Sequence, residues 1–405
     1  MIVLSGATLV LPDRLLSPGT LVIENGRIAE IRADAPSAGA HSLFAFHGHY
    51  IVPGFVDVHV HGVEGVDSLD RGDAIATIAA KLPRYGVTAF CPTTVACTPE
   101  ALRGVLEQVA RARATPLPRA ARVLPAHLES NFINPDYRGA QPAGCLRSPR
   151  AALGAGGSGG DDFTGADILR EIERGTPDVG IVTLAPELDG GLDLIQWLAA
   201  RGHRVSLGHS GATFEDAAAA IAAGARHATH LFNRMPPLNH RSPGLAGAVL
   251  QTEEVAAEII CDGAHVHPAM VRAAIAAKRP ARVMAITDAT AVAGLETGGR
   301  AALGGQPIVA GDRVALLADG TTAGSRITMD RTFQMLAGPI GQSLVDAATM
   351  CATTPARELG LVGHGVLAPE AAADLVVLDG NLAVVQTYVA GQLVYTRNTA
   401  SPAPV

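Results

Sequence analysis

Pro53-Gly-Phe-Val-Asp-Val-His-Val-His-Gly62 decides how the chain is read. The Pro-Gly break sets the start of an apolar run, and the run ends in two imidazoles, His59 and His61, spaced two residues apart. On a strand, residues i and i+2 share a face, so both rings can reach one point in space, as a metal centre requires. A lone His-x-His is equally consistent with two unrelated histidines on one face. The rest of the chain separates these readings.

Downstream, seven more apolar runs follow: Val87–Thr93, Arg122–Glu129, Gly180–Glu187, Arg204–Ser210, His227–Phe232, Ala256–Asp262 and Val283–Asp288. Between them lie stretches of helical pattern, including Asp73–Arg84, Pro99–Arg113, Gly165–Arg174, Gly191–Arg201, Thr213–Ala222 and Pro268–Ala277. Strand and helix alternating eight times predicts an α/β fold, a (β/α)8 TIM-like barrel over residues 53–360. A doubly wound open sheet is the alternative, but no dinucleotide glycine fingerprint follows the first strand.

Upstream, residues 1–52 are short apolar runs broken by turn signals. Asn25-Gly26 is a strong hairpin signal. The segment 361–400 has the same texture, so the two ends are expected to pair into a small β-sandwich domain. Residues 300–325 look like a hairpin inserted after the eighth strand. Gly154–Asp161 is a low-complexity stretch that reads as a tolerated loop insertion or part of a lid. The final Ser-Pro-Ala-Pro-Val is expected to fray.

Composition narrows the function. A net charge of -7 argues against a broad nucleic-acid surface, though it leaves room for a local basic pocket. The five cysteines show no paired spacing, which points to a reducing compartment. No stretch approaches the ~20 apolar residues of a membrane span, and the first residues lack the pattern of a signal peptide. A cytoplasmic enzyme is expected.

In such barrels the reacting groups sit at the C-terminal ends of strands. Strand one ends in His59 and His61, strand three in Glu129, strand five in His209, strand six in His230, and strand eight in Asp288. Five strands sending His, Glu or Asp to one rim predict a divalent-metal site, with zinc suited to the mixture of imidazole and carboxylate. His227 lies three residues from His230, off its strand face, and is read as structural.

These words, together with Thr-Leu-Ala-Pro-Glu (183–187), Gly-His-Ser-x-Ala-Thr (208–213), His-Leu-Phe-Asn-x-Met-Pro (230–236), Asp-Gly-x-His-Val (262–266) and Thr-Asp-Ala-Thr (287–290), resemble the amidohydrolase superfamily and, within it, the N-acetylglucosamine-6-phosphate deacetylase family. The resemblance runs from Pro53 through the C-terminal strands. It implies hydrolysis of the N-acetyl group of the sugar phosphate to the amine and acetate, in a homodimer. Glu129, His209 and His230 match ligands of the main metal, His59 and His61 those of a second, and Asp288 the general base and acid. One or two metals per chain are implied. Asn233, Arg241 and His265 match positions that grip the sugar phosphate, in part across a dimer interface, and Arg234 is a further candidate. A carbamylated-lysine bridge is excluded, because neither lysine, Lys81 or Lys278, is near strand four.

Three departures from the family pattern bear on substrate choice. Ser130-Asn131 replaces Gly-Pro after Glu129. Gln141 stands where an imidazole is usual, and it can donate through its amide without carrying a proton. Arg234 stands where a small residue is common. The rival readings are a deacetylase of another amino sugar, such as the galactosamine epimer or an unphosphorylated sugar, another amidohydrolase, or a non-catalytic sugar-phosphate-binding barrel.

Overall fold

The computed structural model describes residues 1–33, 43–154 and 162–397. Most of the glycine-rich stretch and the terminal Ser-Pro-Ala-Pro-Val lie outside them. Eight parallel strands follow in chain order: Phe55–Val60, Val87–Thr94, Ala126–Glu129, Val179–Leu184, Arg204–Leu207, His227–Ala228, Ala256–Ile260 and Val283–Ile286. Each pairs in parallel with its neighbour in that order. The circle is completed by a parallel bridge between Val60 and Ala289 and by Asp288 N–H donating to the His59 carbonyl at 3.0 Å. The open-sheet alternative is thereby excluded.

Side-chain alternation on these strands divides two apolar clusters. Ala257 and Ile259 pack outward against the helices. Ala256 and Ile260 turn inward to meet Ala89, Cys91, Ile181, Met284 and Ile286. Above this inner plug runs a polar layer in which His127 Nε2, Thr183 Oγ1, Thr229 Oγ1 and Ser206 Oγ are linked at 2.8, 2.7 and 2.6 Å. Buried hydroxyls and rings are tolerable here because each has a partner.

The helices begin where local chemistry starts them. Thr98 caps Pro99–Ala114, with proline at the first helical position, where no intrahelical N–H bond is lost. Thr164 with Asp167, and Thr213 with Asp216, form reciprocal capping boxes. Leu102, Val105, Leu106 and Val109 lie at helical spacing on the buried face of Pro99–Ala114, each worth roughly 1.5–3 kcal/mol of burial. The helix Gly244–Gln251 was not anticipated from its pattern; its glycines disfavour helix, yet six of its eight residues are buried and packing holds it.

The chain ends meet in one hydrogen-bonded sheet. Tyr50–Pro53 pairs antiparallel with Leu375–Leu378, joining the N-terminal strands to the C-terminal ones. Asn25 and Gly26, at φ 50° and 77°, make the two-residue turn with both angles positive that such a hairpin needs. Residues 300–325 form more than the expected hairpin. Turns at Gly304-Gly305, Gly311-Asp312 and Asp319-Gly320 fold them into a four-stranded antiparallel meander that caps the C-terminal rim of the barrel. Among the described residues, no helix is long and apolar enough to cross a membrane.

Candidate active site

Three side chains of the site are carried by residues in left-handed backbone just past a strand end: His209 at φ 47°, His230 at 30° and Asp288 at 50°. A non-glycine residue there costs of order 1–3 kcal/mol, and such strain collects where side chains must be aimed. The bend at His230 also explains why strand six stops at Ala228, short of the expected His227–Phe232 run. Glu187 fixes the bend after His209: its carboxylate accepts from Ser210 Oγ at 2.7 Å, Gly211 N at 2.6 Å and Asn134 Nδ2 at 2.8 Å.

The aimed groups converge. Glu129 Oε1 lies 2.8 Å from His209 Nε2 and 2.9 Å from His230 Nε2, and those two nitrogens are 3.1 Å apart. On the other side His59 Nε2 and His61 Nε2 are 3.2 Å apart, 3.8 and 3.5 Å from Glu129. Asp288 Oδ1 lies 3.4 and 3.3 Å from the same two nitrogens. All six residues are buried. Four imidazole nitrogens turned toward one carboxylate, in two contact pairs, fit a divalent cation better than they fit each other. His59, His61 and Glu129 can hold one ion, and Glu129, His209 and His230 can hold another.

Electrostatics follow from this crowding. Burial alone would raise the carboxyl of Glu129, but His209, His230 and His59 outweigh it and hold it well below the ordinary range. Asp288 is likewise pushed up by burial and brought below its usual value by His59 and His61. Burial pulls His59 down to about 4. His230 also loses from burial, yet its bond to Glu129 lifts it to about 9. The metal-free site therefore holds a proton at neutral pH where an ion would bind. Metal uptake at pH 7 is expected to release at least one proton per chain, read as a buffer-dependent enthalpy in calorimetry. An enthalpy independent of the buffer would contradict it.

A cavity of about 520 Å³ opens above the cluster, within the size range of small-ligand sites. Glu129, His61, His209, His230 and Asp288 line one end. Gln141, Asn233, Arg234 and His265 line the walls, as do Leu303, Val314 and Thr322 of the meander. Gly324, also lining it, lies so close to Asp288 that a Cβ there would come within 2.9 Å of its carbonyl oxygen. His265 Nδ1 is 2.6 Å from Asp262 Oδ2, which fixes the ring and leaves Nε2 for a ligand. Arg234 runs past Gly139, where a Cβ would sit 2.6 Å from its Nε.

Arg241 is placed differently. It is exposed on the loop after His230, outside the cavity lining, with its backbone N–H on Asn239. His227 is buried away from the cluster, 3.8 Å from Glu358. Sequence reasoning missed Glu258. This fully buried carboxylate lies 2.9 Å from His59 Nδ1, orienting that ring, and takes the main-chain N–H of His230 at 3.4 Å, which holds the bend there. Its signal was available: a single charge in the otherwise apolar run Val255–Ile260 must have a buried partner.

The sequence pattern of the Amidohydrolase family matches residues 50–394. N-acetylglucosamine-6-phosphate deacetylase of Mus musculus is 37% identical over 99% of this chain and 95% of its own length. N-acetylgalactosamine-6-phosphate deacetylase of Escherichia coli O157:H7 is 34% identical over 85% of this chain and 87% of its own. The structure of a mutant N-acetyl-D-glucosamine-6-phosphate deacetylase from Mycobacterium smegmatis, in complex with N-acetyl-D-glucosamine-6-phosphate, superposes with a TM-score of 0.86 at 33% identity, over 98% of this chain and 99% of that one.

Proposed function

The chain belongs to the amidohydrolase family, and from that premise we propose that it hydrolyses the N-acetyl group of N-acetylglucosamine-6-phosphate, releasing acetate and glucosamine-6-phosphate. The observation that carries this reading is the convergence of His59, His61, Glu129, His209, His230 and Asp288 at the floor of a cavity whose walls hold Asn233, Arg234 and His265.

Glu129, His209 and His230 would hold one ion, and His59 and His61, with Glu129 shared, another. A divalent ion, which we take as zinc from the donor set, supplies positive charge that polarises the amide carbonyl and lowers the pKa of water toward ~7. Asp288 then takes the proton of the attacking water and delivers it to the departing nitrogen, without which the amine is a poor leaving group. Its carboxyl is held ionised by the neighbouring rings, so it is ready to accept. At the far end Arg234 and the free Nε2 of His265 bind the phosphate, and Asn233 holds the sugar. The meander screens the reacting carbonyl from bulk water.

Two charge-assisted contacts to the phosphate are each worth about 1.5–3 kcal/mol. The kcat/KM for N-acetylglucosamine-6-phosphate is therefore expected to exceed that for N-acetylglucosamine by roughly 10²–10⁴-fold. Equal rates on the two sugars would remove Arg234 and His265 from the phosphate role. N-acetylgalactosamine-6-phosphate belongs in the same assay, because a relative of comparable identity carries that name.

Arg241 enters as a residue given to a second copy of this chain. The support is its position on an exposed loop beside exposed Leu238, apart from its own cavity. Arg241→Ala is expected to raise KM for the phosphorylated sugar about tenfold in a dimeric enzyme. A monomer in sedimentation, or an unchanged KM, would contradict that placement.

A further inference from the structure

The departures at Ser130, Asn131 and Gln141 are linked in space. Asn131 donates from Nδ2 to the Cys97 carbonyl at 2.7 Å and to the Cys145 carbonyl at 2.7 Å. It thus ties the loop after the second barrel strand to the segment that follows Gln141. Ser130 Oγ donates to the Thr183 carbonyl at 2.5 Å and receives the Phe132 N–H at 3.2 Å, so the chain just after Glu129 is anchored as well. Gln141 spans the gap that Asn131 sets. It is buried, its Oε1 takes the Ala96 N–H at 2.7 Å, and its Nε2 donates to Glu129 Oε2.

The direction of this amide is forced by chemistry. Ala96 N–H can only donate and an ionised carboxylate can only accept, so the amide oxygen must face Ala96 and the NH2 must face Glu129. Consequently the two oxygens of Glu129 have different company. Oε1 meets His209 and His230, with His59 farther off at 3.8 Å, while Oε2 meets Gln141 and faces His61 at 3.5 Å. A carboxylate oxygen has two lone pairs, so the bond from Gln141 leaves one on Oε2, toward His61.

We infer that Gln141 is a positioning residue: anchored on Ala96, its amide fixes the rotation of the Glu129 carboxylate, keeping Oε1 on His209 and His230 and turning Oε2 toward His61. It thereby sets the affinity of the His59/His61 half for its ion. Without it, the carboxylate is free to turn both oxygens toward His209 and His230, and the other half keeps two imidazoles alone. An imidazole at this position would present a single ring nitrogen to Glu129, with its charge subject to pH. The amide donates at every pH.

The inference rests on the metal reading above, and the test separates the two. Metal-free wild type and Gln141→Leu are titrated with zinc against a chelating indicator, with thermal melting as a check on folding. Leucine is close in size but can neither accept from Ala96 nor donate to Glu129; Gln141→Met, unbranched and adaptable, serves if leucine does not fold. Wild type is expected to take up two equivalents. The variant should keep the first within about 3-fold and lose roughly 10–100-fold in affinity for the second, the range for outer partners of metal ligands. A merely structural role would weaken both equivalents alike, and a role confined to substrate contact would change neither; each result overturns the inference. A wild type that binds one ion overturns it while leaving the metal reading intact. A wild type that binds none overturns both.

Discussion

Asp288→Asn is expected to lower kcat by roughly 10³–10⁴-fold, toward the upper end of what a positioned acid–base group contributes, with bound metal close to the wild-type content. Asparagine is the informative replacement because of the backbone. Position 288 sits at φ 50°, and Asn, like Asp, tolerates the left-handed region far better than most residues. Asp288 N–H on the His59 carbonyl and Ser325 N–H on the Asp288 carbonyl are main-chain bonds that the substitution keeps, so the closure between the first and eighth strands survives. What disappears is the ability to hold a proton at Oδ1, 3.3 Å from His61 and 3.4 Å from His59. Deacetylation rates measured beside metal content by atomic emission give the check. Activity within tenfold of wild type would remove Asp288 from proton transfer. Loss of metal in step with activity would recast it chiefly as a ligand.

The parts of this site that sequence could convey are those whose geometry is local. His59 and His61 announce themselves because a strand has a period of two. Glu129, His209, His230 and Asp288 follow once eight apolar runs are counted, since the barrel places strand ends on a common rim. What stayed hidden depends on partners far along the chain. The role of Gln141 requires Ala96, which precedes it by 45 residues, and Glu258 requires His59, 199 residues away. No spacing rule connects such pairs. The meander was half visible because each of its strands is only four or five residues long and its turns resemble any glycine-rich loop. Arg241 shows the opposite case: the loop that bears it was easy to find, but the fold leaves its side chain exposed and outside the lining of the cavity.

Glu129→Gln should cost more than any other single change, because Glu129 comes within 4 Å of all four imidazoles. The neutral amide has one acceptor oxygen, which Gln141 Nε2 and the histidine rings would then contest. Metal retained after dialysis is expected to fall close to zero, and kcat/KM by more than about 10⁴-fold, since neither the Lewis acid nor the activated water survives its loss. The metal-free protein supplies an independent readout. Glu129 titrates below its unfolded value, so its contribution to stability is present above about pH 4.5 and fades as pH falls toward the folded value. His230 is raised to about 9, so its contribution is complete below about pH 6.5 and is lost as pH rises through 9. Both act together near pH 5.5–6.5. The melting temperature of metal-free wild type should therefore exceed that of metal-free Glu129→Gln by more at pH 6 than at pH 9.5. A gap that is the same at both values would mean that the carboxylate does not hold a proton on His230, and the electrostatic account of the empty cluster would fail even if the metal were lost as expected.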